Sequence, residues 1–382
     1  MRIIYMDNQK TTKIDEKVLE AMIPYLKEKY GIPMGEFGHR FEEEALEAIE
    51  AARELLAKSI NANPEEIVFT FSDIDSDNIA IKGKALTLKD RKVIIASKIE
   101  RRSILDSLKF LGDLGYKYKL VEVDEEGFIK LEEIDHIAAK GAGLIATHVG
   151  NHEIGTIQDV RALGDISEDR NVHLHLDASH AFLKVPIDVE KLKVDTMTLS
   201  SHLIHGPKGI SALFVREGVK LKPIITGGLR EKGLSPGEPS VANIVGFGKA
   251  VEIWDWNDVR KIRKLRDLLI EKLLSEIPET YLNGPRGDKR LPNNVNVSFM
   301  KVEGESILLQ ADARGLIVST GSACYSQELE PSYVIMAIRG KYEFAHGSIR
   351  LSLSRYNTEK DVLDAVSILK EVVENLRKIS PL

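Results

Sequence analysis

The stretch Thr196-Met-Thr-Leu-Ser-Ser-His-Leu-Ile-His-Gly-Pro-Lys-Gly-Ile-Ser-Ala-Leu-Phe-Val215 decides how the rest of the chain is read. An alternating apolar run carrying Met197 and Leu199 stops at Ser200-Ser201-His202, where polar groups cluster. A Gly206-Pro207-Lys208-Gly209 turn follows, and a second β-rich run extends from Ile210 to Val215. Two short strands joined by a polar, Gly/Pro-punctuated connection predict a site at strand ends rather than a packing element.

Outward from that pair, strand and helix alternate. Strands are predicted over 67–70, 93–96, 118–121, 144–147 and 172–176, with helices over 76–88, 103–114 and 160–170 between them. Earlier, Asp15 caps a helix carrying Val18, Leu19, Met22 and Ile23, and an Ala/Glu-rich helix runs over 41–59. Repeated βα units imply a mostly parallel sheet covered on both faces, with ligands at the carboxyl ends of its strands. A helical stretch through Trp254 and Trp256 to Ile277 leads to strands over 294–299, 317–320 and 349–353 and helices over 305–313 and 358–377. The expected fold is therefore α/β: a large domain (16–254) with a mostly parallel sheet covered by helices, plus a smaller α+β domain (1–15 and 255–382).

A net charge of −6 argues against a nucleic-acid binder, which would carry a basic stripe. The chain has neither an apolar run of membrane-spanning length nor a signal-peptide core at its N-terminus. Its single cysteine, Cys324, excludes an internal disulfide framework and suits a reducing, cytoplasmic compartment.

The strand-pair segment resembles the cofactor-lysine segment of the cysteine desulfurases, pyridoxal-phosphate enzymes of the class V aminotransferase group with the fold type I architecture. The likeness extends over nearly the whole chain, through His39-Arg-Phe41, Glu66-Ile-Val-Phe-Thr70, Ser76-Asp-Asn78, Glu153-Ile-Gly-Thr-Ile-Gln158, Val302-Glu-Gly-Glu-Ser306, Gly321-Ser-Ala-Cys324 and Ala345-His-Gly-Ser-Ile-Arg350. The family pattern is Ser-x-His-Lys followed by Gly-Pro-Lys-Gly, and its first lysine forms the Schiff base. Here Leu203 follows His202, and a leucine cannot form an imine.

The resemblance implies roles for several other residues. Asp177, at the end of His173-Leu-His-Leu176, matches the carboxylate that pairs with the pyridinium nitrogen; from the residues alone, a strand-end turn cap is an equal reading. His180 stands where the family commonly has Gln, and Ser200 and His202 match phosphate ligands. Asn151-His152-Glu153 replaces the family's Asn-Asn-Glu, which leaves open whether Asn151 or His152 faces the ring. Arg350 matches the arginine that clamps the substrate carboxylate through a bidentate pair, with Asn151 beside it as a second substrate contact.

Other positions depart from the pattern. The family's Gly-Ala-Thr in the phosphate cup is Ser72-Asp73-Ile74, which removes a hydroxyl and adds a carboxylate. Two like charges ~4 Å apart repel by roughly 4 kcal/mol at an effective dielectric of 20. Glu238 adds a second carboxylate where a neighbouring subunit's threonine is expected to reach the phosphate, and Arg101 replaces the ring-stacking histidine. Opposite charges at these positions predict that Arg101 and Arg102 pair with Asp73 and Glu238 and fill the pocket.

Cys324 lies in the small, polar run Gly321-Ser-Ala-Cys-Tyr-Ser326, a setting for an accessible thiol rather than a core residue. In the family this cysteine receives sulfur as a persulfide and hands it to an iron–sulfur scaffold protein. Three expectations follow. The first is a sulfur-transfer protein without pyridoxal catalysis, presenting Cys324 as persulfide acceptor or iron–sulfur cluster ligand to a scaffold partner. The second is a working cysteine desulfurase holding pyridoxal phosphate non-covalently. The third is a structural subunit paired with an active paralogue. The resemblance also implies a homodimer, with the heterodimer as its alternative.

Overall fold

The computed structural model describes residues 2–33, 38–321 and 331–379. The strands in chain order are β1 (Ile4–Tyr5), β2 (Ile67–Thr70), β3 (Val93–Ser97), β4 (Lys117–Val121), β5 (Leu144–His148), β6 (His173–Asp177), β7 (Thr196–Ser200), β8 (Ser211–Val215), β9 (Thr280–Leu282), β10 (Asn294–Phe299), β11 (Leu316–Ile317) and β12 (Ser348–Ser352). The main sheet has the order β2-β8-β7-β6-β5-β3-β4. Pairings from β7 through β6, β5 and β3 to β4 are parallel, and β8 runs antiparallel between β7 and β2. This is the mostly parallel α/β sheet flanked by helices that the alternation predicts.

Burial explains why the strands lack simple alternation. Residues of β2, β5, β6, β7 and β8 are all buried, as strands covered on both faces must be. On one face, Ile49, Ala52 and Leu56 from the helix Arg40–Ser59 join Ile95, Ile145, Leu174, Met197 and Phe247 in one apolar cluster. On the other, the helices Asp73–Ala85 and Arg102–Asp113 place Ile81, Ile104 and Leu108 against Ile94, Ala96 and Ala146.

A second core gathers Met6, Leu269, Leu273, Val295, Val297, Ile349, Leu351, Leu369 and Val373. Around it lie the antiparallel sheet β12-β10-β9, the pair β1-β11 and the helices Trp256–Glu276 and Glu359–Ile379. Bridges Asp7↔Ser352 and Ser319↔Arg350 tie these strands together. The helical stretch expected from Trp254 to Ile277 starts only at Trp256 and ends at Glu276, after a separate helix Val241–Glu252. The break has a local cause, because Asp255 adopts an extended conformation and accepts from Asn257 N as the N-cap of the second helix. No helix among the described residues is long and apolar enough to cross a membrane.

Candidate functional site

Because β8 reverses direction between β7 and β2, the strands β2, β3, β5, β6 and β7 all end on one edge of the sheet, at Thr70, Ser97, His148, Asp177 and Ser200. The segments leaving those ends carry the polar residues singled out above. After β2, Ser72 accepts from Asp75 N and caps the helix Asp73–Ala85, so Asp73 opens its first turn. Past the end of β3, Arg101 is the extended residue that precedes the helix Arg102–Asp113.

Glu100 fixes where Arg101 begins. Its buried carboxylate accepts from Ser97 Oγ at 2.5 Å, Thr147 Oγ1 at 2.7 Å and His148 N at 2.9 Å, and lies 2.6 Å from His148 Nδ1. Tyr333 O–H donates to its carbonyl at 2.6 Å. From this anchor the Arg101 guanidinium crosses the strand ends. It donates to Asp177 Oδ2 at 2.9 Å, Ser179 Oγ at 2.7 Å and Asp73 Oδ2 at 3.0 Å. Asp177 is further fixed by Ser179 N and Oγ, at 2.8 and 2.5 Å.

These partners settle the protonation of the cluster. Burial pushes the Asp177 carboxyl up, but the Arg101 charge and the two Ser179 bonds outweigh it and hold it below the usual range. Arg101 is desolvated too, yet Asp73, Asp177 and Asp77 keep it charged. Asp77 lies one layer deeper, 3.2 Å from His175 Nε2, and accepts from Thr198 Oγ1 at 2.6 Å. Burial, then the Asp177 charge, raises its carboxyl.

Histidines line the side facing the second core. The His152 ring stands 6.1 Å from that of His180 and 6.4 Å from that of Tyr333. Burial, followed by the Arg101 charge, holds both histidines well below their ordinary value, so they are neutral near pH 7. Asn151 turns the other way: its Oδ1 accepts from Glu153 N and Ile154 N, and its Nδ2 donates to Ile99 O. Of the two, His152 is the residue on the Arg101 side. Arg350, on β12, donates to His152 O at 3.1 Å and pairs with Asp7 at 3.3 Å. Leu203 is 2% exposed and shares a small cavity with Lys184, His205 and Trp254. His202 packs its Nδ1 3.2 Å from Thr11 Oγ1, and burial lowers its proton affinity. Among the described residues, the Ser200 and Ser201 hydroxyls and His180 Nδ1 are buried without a hydrogen-bond partner. Cys324 lies outside the described residues.

The expected charge pairing is only half as drawn. Arg101 takes Asp73 but also Asp177, whereas Arg102 sits with its guanidinium 4.9 Å from the Tyr333 ring centre. Glu238 pairs with Arg230, eight residues back across the turn that includes Gly233 and Gly237.

The aminotransferase class-V family profile matches residues 4–364. The cysteine desulfurase IscS of Dictyoglomus turgidum is 42% identical over 384 residues, covering 100% of this chain and 97% of that one. The cysteine desulfurase IscS 1 of Archaeoglobus fulgidus is 43% identical over 382 residues, 99% of each. The chain belongs to the cysteine desulfurase branch of the class-V aminotransferase family. A solved NifS-like protein superposes on this member with a TM-score of 0.90 at 35% identity, over 98% of this chain and 100% of that one. Family membership implies pyridoxal phosphate as the cofactor of the group.

Two residues of the site escaped the sequence reading. Ser179, which orders Asp177, carries a recognisable signal, since an Asp followed two residues later by Ser favours a local side-chain-to-backbone bond. Lys184 is a lone cation in the apolar run Ala181-Phe-Leu-Lys-Val-Pro-Ile187, 6% exposed, donating to His180 O at 3.1 Å.

Proposed function

We propose that this chain is a sulfur-transfer protein of the cysteine desulfurase family, acting through Cys324 and without pyridoxal-dependent desulfuration of its own. The observation that carries this reading is the Arg101 guanidinium bonded to Asp177 and Asp73 at once, together with an apolar residue at 203. In this reading Asp177 is engaged, an anion occupies the head of the phosphate helix and no amine follows His202. These residues do not fit pyridoxal phosphate held in the family manner, and no step is assigned to it. Sulfur then reaches Cys324 from a persulfide donor. The Cys324 thiolate attacks the outer sulfur of R–S–SH, the S–S bond breaks, and R–S− leaves with the electron pair and takes a proton. The new Cys324 persulfide, or a cluster bound through the same thiol, is presented to an iron–sulfur scaffold partner.

A working desulfurase with non-covalently held cofactor is the second reading. The names of the relatives fit it better than the first. The unpartnered Ser200 hydroxyl and His180 Nδ1, both at family cofactor positions, also favour it. For either reading we propose a homodimer. An apolar groove of about 580 Å³ lined by Leu46, Ile49, Phe69, Phe71 and Leu229, with Leu229 92% exposed, supports a second chain there.

The test is mass spectrometry of Cys324. Incubation with a small-molecule persulfide should add one sulfur atom at Cys324, and L-cysteine with pyridoxal phosphate should add none. Unmodified Cys324 after the persulfide, or equal labelling of a Cys324→Ser variant, contradicts the reading.

A further inference from the structure

Asp177 is the carboxylate matched to the pyridinium nitrogen, and the N-terminus of the helix Asp73–Ala85 is the end matched to the phosphate. Both are occupied by the chain's own side chains. A guanidinium nitrogen lies 2.9 Å from Asp177 Oδ2, where the family carboxylate meets a positively charged ring nitrogen. A carboxylate lies in the first turn of the helix Asp73–Ala85, where backbone N–H groups and the helix dipole favour an anion. Arg101 spans the two, with separate nitrogens on Asp177 and Asp73. Its side chain is 15% exposed, that of Asp73 9% and that of Asp177 1%, so the bridge is largely withdrawn from water.

We propose that Arg101 and Asp73 stand in for the positive and negative ends of pyridoxal phosphate, satisfying the cofactor site from within and excluding the cofactor. A buried Asp177 without a cation would be an uncompensated charge, and removing one partner of a buried pair is among the most destabilising single changes. In a protein that binds the cofactor, that compensation arrives with the ligand. Here Arg101 supplies it permanently, and Asp73 gives Arg101 its second partner while sealing the helix end. The substitutions at 73 and 101 are therefore two halves of one device. Leu203 removes the amine that would tether the ring, and Ile74 removes a hydroxyl from the phosphate cup. The inference rests on the family correspondence of these positions. It is read by cofactor binding and melting, whereas sulfur transfer is read at Cys324, so either can fail alone.

Binding of pyridoxal phosphate to the full chain, by equilibrium dialysis and absorbance, tests it. The unsubstituted protein and Leu203→Lys should show no saturable binding and no shift in melting temperature with cofactor. The fourfold variant Asp73→Ala, Ile74→Thr, Arg101→His, Leu203→Lys keeps the free Ser200 hydroxyl. It should bind at least ~100-fold more tightly, a gap well within reach of relieving one close charge repulsion. Borohydride should fix the adduct at position 203, and cofactor should raise the melting temperature. Saturable binding by the unsubstituted protein or by Leu203→Lys alone overturns the proposal, and so does a folded fourfold variant that fails to bind. Should the fourfold variant not fold, a double-mutant cycle on melting between Arg101→Ala and Asp73→Ala decides. Coupled losses support the bridge, and additive losses overturn it.

Discussion

Lys184 shows what a single buried charge does in this fold. It lies among His180, His202 and His205, each of which feels its charge, and it donates to the His180 carbonyl. Burial alone depresses its ammonium to about 7 from an ordinary 10.5. The unfolded chain therefore holds the proton more tightly than the folded one, and folding pays the whole penalty below pH 7. The penalty shrinks as pH rises from 7 toward 10.5, and a depression of that size is on the order of 5 kcal/mol. Lys184→Met should stabilise the protein at pH 6 by ~2–5 kcal/mol, with less than about half of that gain left at pH 9. Urea titrations at the two pH values check this; a variant no more stable than the parent at pH 6 contradicts it. At this scale the strand-end Asp177 was legible, because a carboxylate after an apolar strand run reads locally. The Arg101 contact to it was not. The two residues are 76 apart in sequence and meet only once β3, β5 and β6 are parallel neighbours.

Among the elements, β3 and β5 are held at their site ends by one carboxylate. Glu100 accepts from Ser97 at the end of β3 and from Thr147 and His148 at the end of β5, and so sets the origin from which Arg101 reaches out. Glu100→Ala would leave two hydroxyls and two backbone N–H groups buried without their acceptor, at a cost of about 3–5 kcal/mol. A calorimetric melting temperature within a degree or two of the parent would show that the clamp carries no weight. Helix reading by pattern worked where caps were local. Asp15 accepts from Lys17 N at the start of the helix Glu16–Lys27, and the helix Val160–Arg170 has the bounds its periodicity predicts. It failed at Ile253–Asp255, where hydrophobic residues on both sides of the break mask a cap that only the Asp255 geometry reveals. The short helix Leu131–Ala138 and the three-residue β9 were not read either, because neither is long enough to show a period.

Across the whole molecule, the class-V fold brings Asp177, Arg101, Asp73, His152 and His180 together at one edge of the main sheet. The sheet order puts β3, β5, β6 and β7 side by side, Arg350 on β12 reaches the His152 carbonyl, and His152 and His180 lie together near Arg101. Composition and alternation were enough to predict an α/β fold, since those signals are spread over hundreds of residues. The proposed exclusion of the cofactor rests on four side chains, at 73, 101, 177 and 203, whose meaning depends on tertiary placement. As proposed, the protein carries sulfur but does not cleave the carbon–sulfur bond of cysteine. The most direct measurement is alanine formed from L-cysteine by the purified protein with added pyridoxal phosphate. No alanine above that of the Cys324→Ser variant is expected. Alanine formed in proportion to enzyme, and abolished by Cys324→Ser, would contradict it.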